Sequence, residues 1–136
     1  MKVFIKEFTV ATRTRFEVVD ITGLVEDAVS SSGVSDGIVV VHVPHATAAI
    51  MLNEAEPNLF HDYVDMVKEL FKPDAQWRHN MIDNNAHAHL AAAVIGSSRV
   101  IPLRGGRMMR GTWQNILLLE LDGPRHRRVI VEVMGV

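Results

Sequence analysis

The chain has 136 residues, of which 48% are hydrophobic and 22% charged, a composition typical of one globular domain with a real core. It contains no cysteine, which excludes disulfides, thiolate metal sites and cysteine nucleophiles and fits a reducing cytoplasm. No apolar run approaches the ~20 residues of a membrane span, and the alternating, charged start MKVFIKEFTV is unlike a signal peptide. We therefore expect a cytoplasmic protein with no membrane partner.

The net charge of −2 conceals an uneven distribution of charge along the sequence. Residues 1–98 carry 13 acidic and 7 basic side chains, whereas residues 99–136 carry 3 acids and 7 arginines. Arginine suits bidentate contacts with carboxylate or phosphate groups, although most of these residues are interpreted as strand-end and subunit contacts. Nucleic-acid binding is disfavoured, because the chain is acidic as a whole and no aromatic residues interleave with the arginines.

The first third of the chain predicts strands around one helix. Residues 3–10 alternate like a strand and residues 16–18 continue a second one, so the opening is interpreted as a hairpin. Thr22 is placed to cap a helix that ends near Gly33. Residues 37–43 form a continuous apolar strand, which is typical of a strand covered on both faces.

The remaining elements predict an antiparallel α+β domain. A helix starts at Pro57 and ends at Pro73, and a long loop then leads to residue 84. After a further helix, short apolar runs at 100–103, 116–121 and 126–134 are separated by glycine-rich turns. The pattern therefore predicts about seven mostly antiparallel strands and about three helices, in a single domain over residues 1–136.

The segment 79–96, HNMIDNNAHAHLAAAVIG, combines three histidines with a short helical pattern. Asn84 or Asn85 is placed to cap the helix, and Gly96 to end it. The predicted apolar side consists of Ala86, Leu90, Ala93 and Val94.

Helix geometry distinguishes the two histidines of the His-Ala-His triplet. At about 100° per residue, His87 and His89 lie about 200° apart, so both reach one ion only if the helix starts after His87. Small residues beside His89 leave room for a ligand, whereas His87 lies in the first turn and is expected to face water. We therefore predict that His89 belongs to the site.

A second candidate group lies on the strand predicted for residues 45–53. Alternation places His45, Thr47 and Asn53 on one face, with alanine and methionine between them, and Glu54 follows directly. A strand face with mostly small side chains and polar groups at both ends is unusual for a structural surface and typical of the floor of a pocket.

The histidines suggest two kinds of chemistry. With a nearby carboxylate, His45, His79 and His89 match the ligands of an open catalytic zinc site, and neutral imidazoles are also general bases near neutral pH. Each single histidine is also compatible with a structural role, and the sequence alone does not show that the three converge.

Five ordered motifs resemble the YjbQ-like family, whose members are often labelled secondary thiamine-phosphate synthases. They are His45-Ala-Thr-Ala, Leu52-Asn53-Glu54, Asn85-Ala-His-Ala-His89-Leu, Gly111-Thr-Trp-Gln114 and Asp122-Gly-Pro-Arg-His-Arg127. The match covers nearly the whole chain. The family usually has a hydroxyl residue where this chain has Ala46, which alternation directs away from His45.

The resemblance implies an α+β fold with a seven-stranded β-sandwich, a homotrimer, and an active site of histidines and polar residues. It assigns catalytic roles to His45, Glu54, His79 and His89, and substrate contacts to Thr47, Asn53 and Arg125.

These observations together predict a small homotrimeric enzyme that acts on a phosphorylated metabolite. It would use a divalent metal, zinc for example, or acid–base chemistry, with thiamine-phosphate synthesis as a side reaction. The alternative is a non-catalytic trimer that binds a metabolite or metal. The site is expected near a subunit boundary, where an arginine could reach a neighbour's histidines.

Overall fold

The computed structural model describes all 136 residues as two antiparallel β-sheets packed face to face, with helices at the edge and on the smaller sheet. The strands are β1 (Lys2–Ala11), β2 (Glu17–Asp20), β3 (Gly37–His42), β4 (Ala48–Asn53), β5 (Ser98–Arg104), β6 (Arg107–Met108), β7 (Asn115–Glu120) and β8 (His126–Gly135). The helices are α1 (Thr22–Ser32), α2 (Pro57–Leu70), α3 (Ala86–Ile95) and a 3₁₀ helix at Arg78–Met81. None of them is long and apolar enough to cross a membrane.

The strand order confirms the predicted antiparallel α+β class and corrects the predicted opening hairpin. The larger sheet has the order β1-β8-β3-β5-β6 and the smaller one β2-β7-β4, with every pair antiparallel. The hairpin prediction is wrong, because β1 pairs with β8 whereas β2 pairs with β7 in the other sheet. The first two strands are adjacent in sequence, but the chain passes from one sheet to the other between them.

Two hydrophobic cores lie on opposite faces of the smaller sheet. The larger core fills the space between the sheets and contains 18 buried residues. The smaller core packs this sheet against α2 and α3 through seven buried residues. Strand β7 contributes to both, since Leu118 belongs to the first and Leu119 to the second. The continuous apolar run at 116–121 is therefore covered on both faces within one chain.

Strand β3 differs from β7 because one of its faces is only partly covered. Val39 and Val41 are fully buried between the sheets, whereas Ile38 is 39% exposed on the outer face. Val100 lies on the same outer face, opposite Val40, and is 56% exposed. The single chain thus supplies cover for one face of this apolar strand and leaves the other accessible.

The helices begin and end close to the predicted residues, but of the side of α3 that was predicted to be buried, only Ala86 is buried. Leu90 and Val94 are 38% and 72% exposed, whereas Ala88, Ala91 and Ala92 are buried. The alanines face the smaller sheet because their short side chains let the helix approach Ala49 and Leu119 closely. The larger apolar residues consequently point outward.

A buried ion pair joins the two sheets at one end. Glu120, the last residue of β7, and Arg127, near the start of β8, are 0% and 2% exposed. Arg127 Nε donates to both carboxylate oxygens at 2.9 and 3.0 Å, and its Nη2 donates to Thr47 O and Oγ1 at 3.0 and 2.9 Å. The Thr12 hydroxyl also donates to Glu120, at 2.6 Å. The pair thereby fixes two loops as well as two sheets.

We predict that Arg127→Met destabilises the protein by roughly 3–5 kcal/mol, because it leaves the Glu120 carboxylate buried without its cation. Chemical denaturation measures the loss. The double variant Glu120→Gln with Arg127→Met should recover much of it, since no unpaired charge then remains buried.

The matched control is Arg128→Met, which removes the next arginine of β8 from its exposed pair with Glu7. Its cost should be under about 1 kcal/mol. Equal costs for Arg127→Met and Arg128→Met would contradict a structural role for the buried pair.

Candidate functional site

Four of the seven predicted site residues converge at the end of the sandwich where the buried ion pair lies. A cleft of about 550 Å³ opens between the loop before β4, the start of α3 and the loop before β8. It is lined by His45, Ala46, Thr47, Asn85, His89, Asp122, Pro124, Arg125, His126 and Arg127. Of the predicted set, His45, Thr47, His89 and Arg125 therefore share one cavity.

His45 is held as a neutral hydrogen-bond donor. The backbone N–H of Arg128 donates to His45 Nε2 at 3.0 Å, so this nitrogen carries the lone pair and Nδ1 carries the proton. Burial, and then the positive charges of Arg127 and Arg128, lower the pKa of His45 below its ordinary value. The imidazole consequently stays uncharged at neutral pH and offers Nδ1–H as its free donor.

His89 lies where this cleft meets a second cavity. It is half-buried, and its ring makes no hydrogen bond to protein but packs edge-on against His79, with ring centroids 4.7 Å apart. The second cavity, a groove of about 670 Å³, is lined by Gln76, Trp77, Arg78, His79, Ala86, His89 and Leu90. His79 is thus beside His89 but on the groove side.

Arg125 is oriented at the mouth of the cleft by the turn that precedes it. Its Nε donates to Asp122 O at 2.8 Å and its Nη2 to Asp122 Oδ2 at 3.0 Å, while Nη1 has no protein acceptor. Burial raises the pKa of Asp122, but hydrogen bonds from Asn85 and Arg125 outweigh it and hold that pKa below its ordinary value. The carboxylate is therefore ionised and acts only as an acceptor.

Asn85 connects this carboxylate to His79 and was missed as a site residue. Its Nδ2 donates to Asp122 Oδ2 at 2.9 Å, and its Oδ1 lies 2.9 Å from His79 Nε2. The sequence indicated only a helix cap, and Asn85 does occupy the N-cap position of α3. It makes no capping hydrogen bond, however, and Asn80 Oδ1 accepts from Ala86 N–H instead.

His87 is fully buried, so the prediction that it faces water is wrong. Its ring packs 5.3 Å from that of Phe16, and its Nε2 lies 3.3 Å from Leu121 O. Nδ1 has no hydrogen-bond partner. Burial, followed by the charge of Arg15, lowers the pKa of His87. The first turn of α3 faces the smaller core, which is why a polar residue there is not exposed.

Asn53 and Glu54 lie at the other end of β4 from the cleft. Ala48 pairs with Glu120 at the cleft end of the sheet, and Asn53 pairs with Asn115 at the opposite end. Thr47 and Asn53 are six residue steps apart along extended chain, a distance of about 20 Å. The intervening Ala49 is buried against α3, so this face of β4 is not a pocket floor.

The three histidines do not fit a metal centre within one chain. His45 Nε2 is occupied by a backbone N–H, and no group of three or more His, Asp or Glu side chains is arranged to hold a cation. His79 and His89 alone remain as adjacent imidazoles. The predicted zinc site is thus not assembled by one chain, and metal binding stays a prediction.

Comparison with known proteins gives consistent matches along the chain. The family model described as UPF0047 protein YjbQ-like matches residues 6–136. A UPF0047 protein of Methanothermobacter thermautotrophicus is 44% identical over 99% of this chain and 94% of its own length. The UPF0047 protein YugU of Bacillus subtilis is 33% identical over 96% of this chain and 99% of its own.

Solved structures share the fold closely. A YbjQ-like protein of unknown function from Sulfolobus solfataricus superposes with a TM-score of 0.98 and 49% identity, covering 99% of both chains. A hypothetical protein from Aeropyrum pernix gives a TM-score of 0.95 and 52% identity over 97% of this chain and 98% of that one. Neither description names an activity.

We predict that His87 makes the protein less stable in mild acid. The unfolded chain takes up a proton near the ordinary pKa of 6.5, whereas the buried ring resists protonation to a lower pH. The free energy of unfolding should therefore fall as pH decreases from 6.5 toward the lowered pKa, by up to about 1.4 kcal/mol per pH unit.

The test compares urea denaturation of the parent protein and His87→Phe between pH 8 and pH 5 at one protein concentration. The variant has an aromatic ring at position 87 that does not titrate, so its free energy of unfolding should depend less steeply on pH. An unchanged slope would contradict the prediction. His45 shifts in the same direction, so a smaller dependence should remain.

Proposed function

The chain belongs to the UPF0047 YjbQ-like family, and we propose that its histidine cleft is the site of an enzyme acting on a small phosphorylated metabolite. The observation that carries this proposal is the convergence of histidines, a threonine hydroxyl and an arginine on one cavity. Such a concave site with a few convergent polar groups is typical of small-molecule binding. The absence of cysteine agrees with a cytoplasmic location.

Three donors suit the phosphate end of the substrate. His45 presents Nδ1–H, because its other nitrogen is occupied, and Arg125 presents its free Nη1. The Thr47 hydroxyl accepts from Arg127, which leaves its proton available to donate. Hydrogen bonds from charged and neutral donors to a phosphate are strong and directional.

His89 is the best candidate for proton transfer. Its ring borders both cavities and no protein group occupies either nitrogen, so both are available to a substrate. Imidazole is the side chain most suited to general acid–base catalysis at neutral pH. The groove beyond it, with Trp77 and Leu90, would hold an apolar portion of the substrate.

The proposed function includes two more specific hypotheses, a thiamine-phosphate synthase activity and a bound zinc ion. Thiamine-phosphate synthesis is one reaction to assay, as a side activity, although it normally uses Mg²⁺ on oxygen ligands, which the cleft does not gather. If the enzyme used zinc, His79 and His89 would need a third ligand from a neighbouring chain. Glu54 is a candidate, because it follows Asn53 at the far end of β4 and its carboxylate is not used in the cleft of its own chain.

We predict that His89→Ala lowers turnover by about 10²-fold or more, the usual contribution of a general acid or base. Unfolding should change little, because the ring has no hydrogen bond to protein. Arg125→Ala should mainly raise KM. A screen of phosphorylated metabolites would record product formation and thermal shift together.

His61→Ala is the matched control, since His61 is exposed on α2 and lines neither cavity. Saturable thermal shifts without product at any enzyme concentration would contradict catalysis and favour the alternative, a metabolite-binding protein. Metal analysis of untagged protein gives a separate result: less than about a tenth of an equivalent after zinc dialysis would remove the zinc version.

We also propose a homotrimer that buries the outer face of the larger sheet. Val3 and Ile5 on β1 are 56% and 61% exposed, and Ile38 and Val100 continue this apolar surface across the sheet. Glu132 lies among them on β8, opposite Ile5, and forms no ion pair in the chain. An apolar surface of this kind is typical of a protein–protein interface, and identical copies of the chain are the simplest partners to cover it.

We predict a mass of three times 15.2 kDa by light scattering, and a smaller species for Val100→Glu. The new carboxylate would lie on the apolar face near Glu132, where burial of two unpaired acids is unfavourable. Val94→Glu, on the exposed side of α3, is the control. A monomeric parent protein, or dissociation only in the control, would contradict this interface.

A further inference from the structure

The side-chain amide of Asn85 lies between a carboxylate and an imidazole, and only one arrangement of protons suits both contacts. The residue is 5% exposed, with Asp122 Oδ2 at 2.9 Å from Nδ2 and His79 Nε2 at 2.9 Å from Oδ1. A carboxylate accepts hydrogen bonds and cannot donate when ionised. The NH₂ group of Asn85 must therefore face Asp122, and its carbonyl oxygen must face His79.

From this chain of contacts we infer that Asp122 and Asn85 hold His79 in the Nε2–H tautomer, with Nδ1 as its only lone-pair nitrogen. An amide oxygen is an acceptor, so the ring nitrogen beside it has to carry a proton. The inference rests on the proposed function, in which Asn85 and Asp122 become positioning residues for the His79–His89 pair.

The local structure supports a positioning role over a merely structural one. Asn85 has the residue type and the position of a helix cap, yet its side chain makes no capping bond and Asn80 takes over that contact. Asp122 also binds Arg125 through Oδ2. One connected series of hydrogen bonds thus extends from the phosphate-binding arginine to the histidine in the groove.

This arrangement determines which atom of His79 can react. A fixed tautomer presents the same lone pair to every ligand, and the partner of the other ring nitrogen keeps the ring oriented. Only Nδ1 of His79 can accept a proton or bind a cation without breaking the bond to Asn85. A His79 free of this constraint would divide its population between two tautomers.

The direct test is nitrogen NMR of ¹⁵N-histidine-labelled protein above pH 8, well above the ordinary pKa of a free imidazole. We expect a protonated Nε2 and an unprotonated Nδ1 for His79, assigned by comparison with His79→Gln. Asp122→Asn removes the constraint on the Asn85 amide, so Nδ1–H should become populated. A predominantly Nδ1-protonated His79 in the parent protein would overturn the inference.

A swapped variant, Asn85→Asp with Asp122→Asn, provides the matched control. The new carboxylate at position 85 accepts from both His79 and the new amide at position 122, so the Nε2–H tautomer should return. Failure of the swap to restore it, in a protein with parent-like thermal stability, would also overturn the inference.

Kinetics separate this inference from the proposed function. Asp122→Asn should lower kcat by about tenfold or more, the usual effect of losing an orienting contact, and the swap should recover it. The tautomer is observed without substrate, so absence of any turnover would reject the enzyme while leaving the tautomer measurable. If the tautomers of the parent protein and of Asp122→Asn are as expected but the kcat of Asp122→Asn is unchanged, the positioning role is overturned.

Discussion

The buried pair between Glu120 and Arg127 is the interaction on which the cleft depends. It connects the last residue of β7 in one sheet with the start of β8 in the other, and Arg127 also binds Thr47. Because a buried charge without its counter-ion is strongly unfavourable, both strand ends have to stay together. The loops that carry His45 and Arg125 adjoin these ends, so the same pair determines that they face one cavity.

This constraint also sets the electrostatic character of the site. Arg127 is neutralised by Glu120, Arg128 by Glu7, and Arg125 is partly balanced by Asp122. The histidine beside them is neutral, since burial and the arginine charges lower the pKa of His45. The cleft therefore offers the proposed phosphorylated substrate oriented hydrogen-bond donors rather than a strong excess of positive charge. Recognition of that substrate would depend on geometry, which suits one small ligand over anions in general.

Sequence patterns predicted the features that depend on local periodicity. Alternation in residues 3–10 identified strand β1, and Pro57 gave the start of α2. The ordered motifs gave the family, and with it His45, His89 and Arg125. Features that depend on tertiary pairing were not predictable in this way. The partner of β1, the buried side of α3 and the distance of Glu54 from the cleft are set by contacts between remote segments.

The site residues that the sequence did not predict are of types that usually form hydrogen bonds within a turn or at a helix end. Asn85 matched a helix cap and Asp122 a turn, so neither suggested a role at a site.

The most direct test of whether the cleft binds a phosphate group is titration of ¹⁵N-labelled protein with inorganic phosphate, followed by amide NMR. We expect saturable shifts confined to residues 45–47, His89 and residues 122–127, and their loss in Arg125→Ala. No saturable shift there, or saturation only around Arg107 and Arg110 in a separate cavity between α1 and the loop after β6, would contradict this assignment.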